Sequence, residues 1–433
     1  METQGEATGT DPTTPLAVVI LAAGQGTRMK SRRSKVLHEI AGQPMLAYPL
    51  ATAEALGAER LIVVIGRDAD EVRKRFAGRA EFALQADQRG TGHAVLQAAP
   101  KLRDFRGELL VLYGDTPLLR LESLQRMREL KRASGAGLVL LSARVPLPGR
   151  VVRDARGQVE RIVETTDATP EELEIEEGNT GVYLLDSELL WEALDQVDDD
   201  NEQGEIYLTD AVGYAVARGR GVEAMVLEEA EESLGVNNRA ELAEAAAVVR
   251  RRTAERWLAD GVTLVDPANT YIDVEAVLGR DTVVEPGCQI SGPSRIGESV
   301  HLRAGCVIES SRVGVGADVG PHVYLEPGSE VAPGERVATW PRPDPPPARA
   351  ARVWAAKKRA AKKKKTAKKK TARKAAKKKT AKKVAGESAG KAGKTGKTGR
   401  KSTREAAPRQ AAASKKPAPK KTSGRKSARR PRR

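Results

Sequence analysis

The stretch LAVVILAAGQGTRM (16–29) decides the fold: eight uninterrupted apolar residues run into two glycines and an arginine. A short, continuous apolar run closed by glycine reads as a strand buried on both faces, the signature of a parallel sheet. RLIVVIG (60–66), ELLVLYGD (108–115) and GLVLLSARV (137–145) repeat the pattern, each bounded by Gly or Asp. Between them lie helix-like stretches such as PMLAYPLATAEALG (44–57) and GTGHAVLQAAPKL (90–102). Strands alternating with helices imply a doubly wound, Rossmann-like α/β sheet, with ligands at the carboxyl ends of its strands.

Working outward, residues 1–14 are polar and read as a disordered lead, and 15–237 form the α/β domain. Residues 238–261, rich in Ala, Glu and Arg, read as a linking helix. A new period then takes over across 262–340. Leu278, Val284, Ile290, Ile296, Leu302 and Ile308 are spaced by six, Val313 follows after five, and Val319, Leu325 and Val331 resume the six. Hexapeptide periodicity signals a parallel β-helix, and ten such positions make about three coils. Cys288 and Cys306 are 18 residues apart, one full coil, and read as a stacked structural pair. PRPDPPPARA opens a stiff proline-rich linker over 341–354.

Charge divides the chain sharply. The 433 residues carry a net +16, but residues 355–433 hold 34 Lys and Arg against only Glu387 and Glu405, a net +32. Residues 1–354 therefore sum to −16, which excludes a basic nucleic-acid-binding globule there. The Lys/Ala-rich tail has no aromatic residue and reads as disordered through self-repulsion. Its composition suits an anionic polymer such as DNA, RNA or a membrane surface, bound without sequence preference; a solubilising polycation, or a segment folded back on the acidic body, is the alternative. Two cysteines make neither a disulfide framework nor a four-cysteine zinc site, and such sparse use fits a reducing compartment. The start lacks a basic signal-peptide region, and its longest apolar run falls far short of the ~20 residues of a membrane span. The expectation is a cytoplasmic protein.

Two segments carry the candidate chemistry. After the first strand, Gly24 and Gly26 let backbone N–H groups approach phosphate oxygens, while Arg28 and Lys35 neutralise their charge. The pattern is neither a P-loop nor a dinucleotide GxGxxG, and a plain turn is the alternative. Asp115 ends a buried strand, where an Mg²⁺-bound triphosphate would lie, although an Asp capping the next turn would look the same.

LAAGQGTRM, KVLHEIAGQPML, LQADQRGTGHAV, LYGDTPLL, IVETTDAT with EEGNTGVYLLD, NEQGEIYLTD and LGVNNRAEL follow one another in order. Together they resemble the uridyltransferase half of bacterial bifunctional N-acetylglucosamine-1-phosphate uridyltransferase/glucosamine-1-phosphate acetyltransferase, from about Leu16 to Ala332. The resemblance implies a nucleotidyltransferase domain followed by a short left-handed parallel β-helix. It implies UTP and N-acetylglucosamine-1-phosphate as substrates, with Mg²⁺ as cofactor. Leu21, Ala22, Ala23 and Gly24 would line the nucleotide, with Arg28 and Lys35 as catalytic cations on its phosphates. Gln85, Gly90 and Thr91 would read the uracil edge, and Tyr113, Gly114 and Asp115 would line the site. Asp115 and Asn237 would hold Mg²⁺, and Gly149, Glu164 and Asn179 would contact the amino sugar. His93 reads as a helix-start residue rather than a base, since a phosphate nucleophile needs none. Ser34 stands where the family usually has proline.

The second family activity is not expected. The acceptor motif Y-L-R-P-G appears as Tyr324-Leu325-Glu326-Pro327-Gly328, an anion in place of a cation, and the hexapeptide pattern is not continued past Trp340. The flat coil faces still offer a homotrimer surface. Two rivals stay open: a related sugar-1-phosphate nucleotidyltransferase using another sugar or base, and a nucleic-acid-binding protein whose enzyme domain is vestigial. The intact set Gly24, Arg28, Lys35, Asp115 and Asn237 argues against decay.

Overall fold

In the computed structural model the Leu16–Ala22 strand is buried at every position and stands at the centre of a twisted sheet. The structure describes residues 14–66, 69–197, 201 and 204–338; the polar lead, the proline-rich linker and the Lys-rich tail fall outside the described residues. The sheet order is Val222–Val226, Leu138–Ala143, Gly178–Asp186, Glu108–Tyr113, Leu16–Ala22, Arg60–Ile65, Glu81–Leu84. Alternate side chains of the central strand serve opposite layers. Ala17, Val19 and Leu21 pack with Val95, Leu102 and Trp191, whereas Val18 and Ile20 pack with Leu46, Leu50, Leu124 and Met127. Helices therefore cover both faces, which is why the strand can be apolar throughout.

The four strands expected to be parallel share one direction: Leu16–Ala22 pairs in parallel with Arg60–Ile65 and with Glu108–Tyr113, and Leu138–Ala143 runs in the same sense. The unexpected element is a fifth strand. Gly178–Asp186 inserts between Glu108–Tyr113 and Leu138–Ala143, antiparallel to both, and Leu138–Ala143 pairs in parallel with Val222–Val226 on its other side. A doubly buried strand is apolar in either direction, and hydrophobic pattern alone does not reveal its sense.

The chain runs outward through Arg60–Ile65 to Glu81–Leu84, then returns to the other side of the first strand at Glu108–Tyr113. The order therefore reverses between Leu16–Ala22 and Glu108–Tyr113. A crevice opens at such a switch point, and here it lies between the turn after Ala22 and the turn after Tyr113.

The helix Arg239–Ala259 leads out of this sheet, capped by Asn238, whose side chain accepts from the backbone N–H of Ala240 and Glu241. Its Ala245, Val248 and Val249 pack with Ile40, Met45 and Leu118 in a separate small core. Beyond it, thirteen two- or three-residue strands stack in parallel into three sheets of five, four and four strands. All ten hexapeptide positions are buried along the axis, together with Cys288 and Cys306, which are free thiols. The expected count of about three coils falls short. Leu264 and Ile272 already point inward, but the short helix Pro267–Asn269 stretches their spacing to eight, and Val337 extends the series beyond Val331. The five-residue step is a shortened corner at Ser310, which adopts φ 42° so that Val313 still stacks on Ile296. Among the described residues no helix is long and apolar enough to cross a membrane.

Candidate active site

The crevice at the switch point holds a cavity of about 240 Å³. Ten of the sequence-derived residues line it: Leu21, Ala22, Ala23, Gly24, Lys35, Gln85, Gly90, Thr91, Tyr113 and Asp115. Gly24 faces open space, with nothing within 4 Å of where a Cβ would sit, so room rather than packing accounts for a glycine there. Gly26 has the opposite reason: at φ +61°, a Cβ would lie 2.7 Å from Lys35 Cβ, so this turn and the lysine segment are in direct contact.

Three polar side chains from distant segments converge at one wall. Lys35 Nζ ion-pairs with Asp115 Oδ2 and donates to Asn237 Oδ1 at 3.0 Å. The lysine side chain is 10% exposed and the aspartate 20%. Asn237 is held from two directions. Its Nδ2 donates to Gly235 O at 3.3 Å, and its backbone N–H donates at 2.6 Å to Glu241 Oε2 in the first turn of the following helix. The Val236 N–H donates to Asp115 O at 2.9 Å, tying the two segments together.

The donor set suits a hard divalent cation. A carboxylate and an amide oxygen converge on one point, and the Lys35 ammonium stands there as a cation in its own right. Mg²⁺ takes one or two protein oxygens and completes its shell with water and substrate phosphates. Among the described residues no cluster of three or more His, Cys, Asp or Glu offers a rival site.

The opposite wall is built by the loop after Glu81–Leu84. Gln85 Nε2 donates to Gly90 O at 3.1 Å and lies 3.2 Å from His93 Nδ1. Gly90 adopts φ +97°, and a Cβ there would sit 2.4 Å from Ile206 O. The Gly92 N–H donates to that same carbonyl at 2.8 Å, and the Leu208 N–H donates to Thr91 Oγ1 at 3.1 Å. Ile206 and Leu208 are therefore the brace of the Gly90–Thr91 turn. His93 is the third residue of the Thr91–Leu96 helix, and burial, then the Arg89 charge, holds its pKa below the usual value. A neutral ring between the amides of Gln85 and Gln97 is a packing element, as expected from the sequence.

Gly149, Glu164 and Asn179 form one row, Gly149 being paired with Glu164 on one side and Asn179 on the other. Asn179 is buried, donating to Tyr183 Oη at 2.7 Å and accepting from the Gly181 N–H at 3.1 Å. Tyr113 connects this row to the cavity. A Cβ on Gly181 would touch its ring at 2.7 Å, and its phenol pKa is pushed up by burial and then by the charges of Asp115 and Glu164. Glu164 is itself pushed above the ordinary carboxylate range, by burial first and then by Asp167 and Asp210.

Not every expected residue lines the cavity. Gly114 is packed instead, with Ala22, Val36 and Leu46 side chains 3.2–3.3 Å from a would-be Cβ. Arg28 is exposed on the turn and does not line the cavity. Asn237 reaches it only through Lys35. Val36, Gln88, Ala94 and Glu205 line it without having been singled out. Gln88, whose side chain donates to Ala23 O, and Glu205 lay within quoted motifs, but only three-dimensional contact distinguishes them from their neighbours.

Comparison with known proteins agrees with this geometry. Residues 18–207 match the model of the MobA-like NTP transferase domain. The bifunctional protein GlmU of Pelobacter propionicus is 44% identical over 336 residues, 72% of this chain and 73% of that protein. That of Geobacter metallireducens is 48% identical over 301 residues, 68% of this chain and 63% of that protein. That of Shouchella clausii is 41% identical over 341 residues, 74% and 75% of the two chains. With its crevice at the sheet's switch point and identity of this extent, the chain belongs to the GlmU family of nucleotidyltransferases, of the uridyltransferase kind that its motifs resemble.

Proposed function

We propose that the protein transfers uridylyl from UTP to N-acetylglucosamine-1-phosphate, giving UDP-N-acetylglucosamine and pyrophosphate. The observation that carries this reading is the convergence of Lys35, Asp115 and Asn237 on the wall of a cavity whose other wall is the Gln85–Gly90–Thr91 loop. The sugar phosphate oxygen attacks the α-phosphorus, and the electron pair of the breaking bond leaves with pyrophosphate. Little covalent work falls to the protein, so positioning and charge neutralisation supply the rate. Asp115 and Asn237 would hold Mg²⁺, which when bound neutralises phosphate charge. Lys35, released from those two oxygens, then turns its ammonium to the phosphates. Gln85, Gly90 and Thr91 offer amide and backbone groups to the uracil edge, and Gly149, Glu164 and Asn179 the amino-sugar surface. Glu164 next to a buried Tyr113 gives a sugar hydroxyl a partner of high proton affinity.

Pyrophosphate release with UTP, Mg²⁺ and N-acetylglucosamine-1-phosphate tests the reading. Substitution of dTTP, CTP or GTP, and of other sugar 1-phosphates, separates it from a related specificity.

Acetyl transfer is proposed to be absent. Glu326 occupies the position at which the family motif has a cation, and Glu309 accepts from Tyr324 Oη beside it at 2.9 Å, so this face presents carboxylates to a sugar phosphate. Acetyl-CoA-dependent modification of glucosamine-1-phosphate by the purified protein would refute this.

A further inference from the structure

A second hollow adjoins the nucleotide cavity. It has a volume of about 730 Å³ and shares Ala22, Ala23, Gly24, Gln85 and Gln88 with the first. Its own wall carries Thr27, Ser31, Arg32, Arg33 and Ser34, three hydroxyls and two guanidiniums. We propose that Arg32 is a pyrophosphate-binding residue of this site, contacting the phosphates beyond the one that is attacked; the inference rests on the uridyltransferase reading above.

The two arginines are not equivalent. Arg33 is already engaged, 3.2 Å from Glu39 and 3.8 Å from Glu71, and so bridges the turn to the helix Asp70–Arg75. Arg32 is exposed and makes no hydrogen bond or ion pair to any described residue. Arg28, the cation that the family motif points to, lines neither hollow. Arg32 thus lines the hollow and has no ion-pair partner among the described residues.

Charge and connectivity give that guanidinium its role. As the α-phosphorus bonds to the sugar phosphate, the bond to the bridging oxygen breaks and its electron pair stays on pyrophosphate. Negative charge therefore grows on the far side of the α-phosphate. Gly24, unobstructed by any neighbour, is shared by both hollows, so a triphosphate passing it from the first enters the second. The turn immediately before Arg32 is anchored. Lys30 adopts φ 49°, Gly26 φ 61°, and Met29 between them is 1% exposed. A planar five-donor fork on such a base suits a diphosphate better than a point charge does.

The reverse reaction isolates this contact, because pyrophosphate is then a substrate with its own KM. With the full-length protein, Arg32→Ala should raise the KM for pyrophosphate about tenfold, the usual loss when one charge-assisted hydrogen bond is removed. The KM for UDP-N-acetylglucosamine should stay within about twofold, and Arg32→Lys should recover part of the loss. An unchanged pyrophosphate KM in Arg32→Ala overturns the assignment. If the wild type turns over neither direction, the uridyltransferase reading fails first, and calorimetric binding of inorganic pyrophosphate decides Arg32 separately. Binding about tenfold weaker in Arg32→Ala supports it, and equal binding refutes it.

Discussion

Lys35 Nζ and Asn237 Oδ1 meet at 3.0 Å although 202 residues separate them in the chain. The contact joins the turn after the first strand to the entry of the helix Arg239–Ala259, with the Asp115 carboxylate as third member. On the proposed reading, this ammonium between two oxygens is a closed arrangement that opens for a nucleotide and its cation.

Asp115→Ala should hurt turnover and stability together. The pair is mostly buried, and losing the carboxylate leaves the Lys35 ammonium with Asn237 alone, a cost of up to about 3 kcal/mol. On the proposed reading Asp115 also holds the cation at the reacting phosphates, and losing such a group costs about 10²–10³-fold in kcat. Steady-state pyrophosphate release and thermal melting of wild type and variant check this. A shift of many degrees in melting temperature with retained kcat would contradict it.

The Gly90 turn gives a backbone counterpart. Gly90→Ala places a Cβ 2.4 Å from Ile206 O at φ +97°, where a side chain is strained whatever the space. The expected cost is about 1–3 kcal/mol of stability, with a raised KM for UTP as the uracil wall shifts. Melting curves and UTP saturation measure the two effects. Gly24→Ala meets no neighbouring atom and should leave stability near wild type while lowering turnover.

These two glycines show where sequence legibility ends. LAVVILAAG announced a doubly buried strand, and the hexapeptide series announced the β-helix, because both rest on periodic burial that composition exposes directly. The antiparallel insertion of Gly178–Asp186 was not legible, since strand direction leaves no mark on a fully buried run. The resemblance gathered most of the cavity wall. It did not reveal that Ile206 braces Gly90, or that Arg32 rather than Arg28 lines the second hollow, because both depend on contacts between segments far apart in the chain or on the exact course of a turn.

Glu164 carries the pH dependence. Its folded-state pKa lies above the ordinary value of 4.5, by burial and then by Asp167 and Asp210. The protonated form is favoured in the fold, so the contribution is fully present below the unfolded pKa and is lost as pH rises through the folded one. Glu164→Gln, neutral at every pH, should melt above wild type at pH 8, with the difference vanishing near pH 4. The same variant should raise the KM for N-acetylglucosamine-1-phosphate if Glu164 contacts the sugar. A melting difference that grows toward acid would reverse the argument.

The tail poses a separate question, answerable without reference to the cavity. Residues 355–433 carry a net +32 with no aromatic side chain, attached to residues summing to −16. We propose that this segment holds the protein to a nucleic acid or another polyanion through release of condensed counterions. Binding of that origin is independent of base sequence and weakens by about 10³-fold or more between 50 and 200 mM salt when six or more phosphates are contacted. Fluorescence anisotropy with two duplexes of unrelated sequence should give equal affinities and the same steep salt slope. A variant ending at Trp354 should bind neither duplex, because its acidic remainder repels phosphate, while keeping wild-type pyrophosphate release. Equal binding by that shortened variant would transfer the contact to the folded part, and a shallow salt slope would mean that something other than charge holds the duplex.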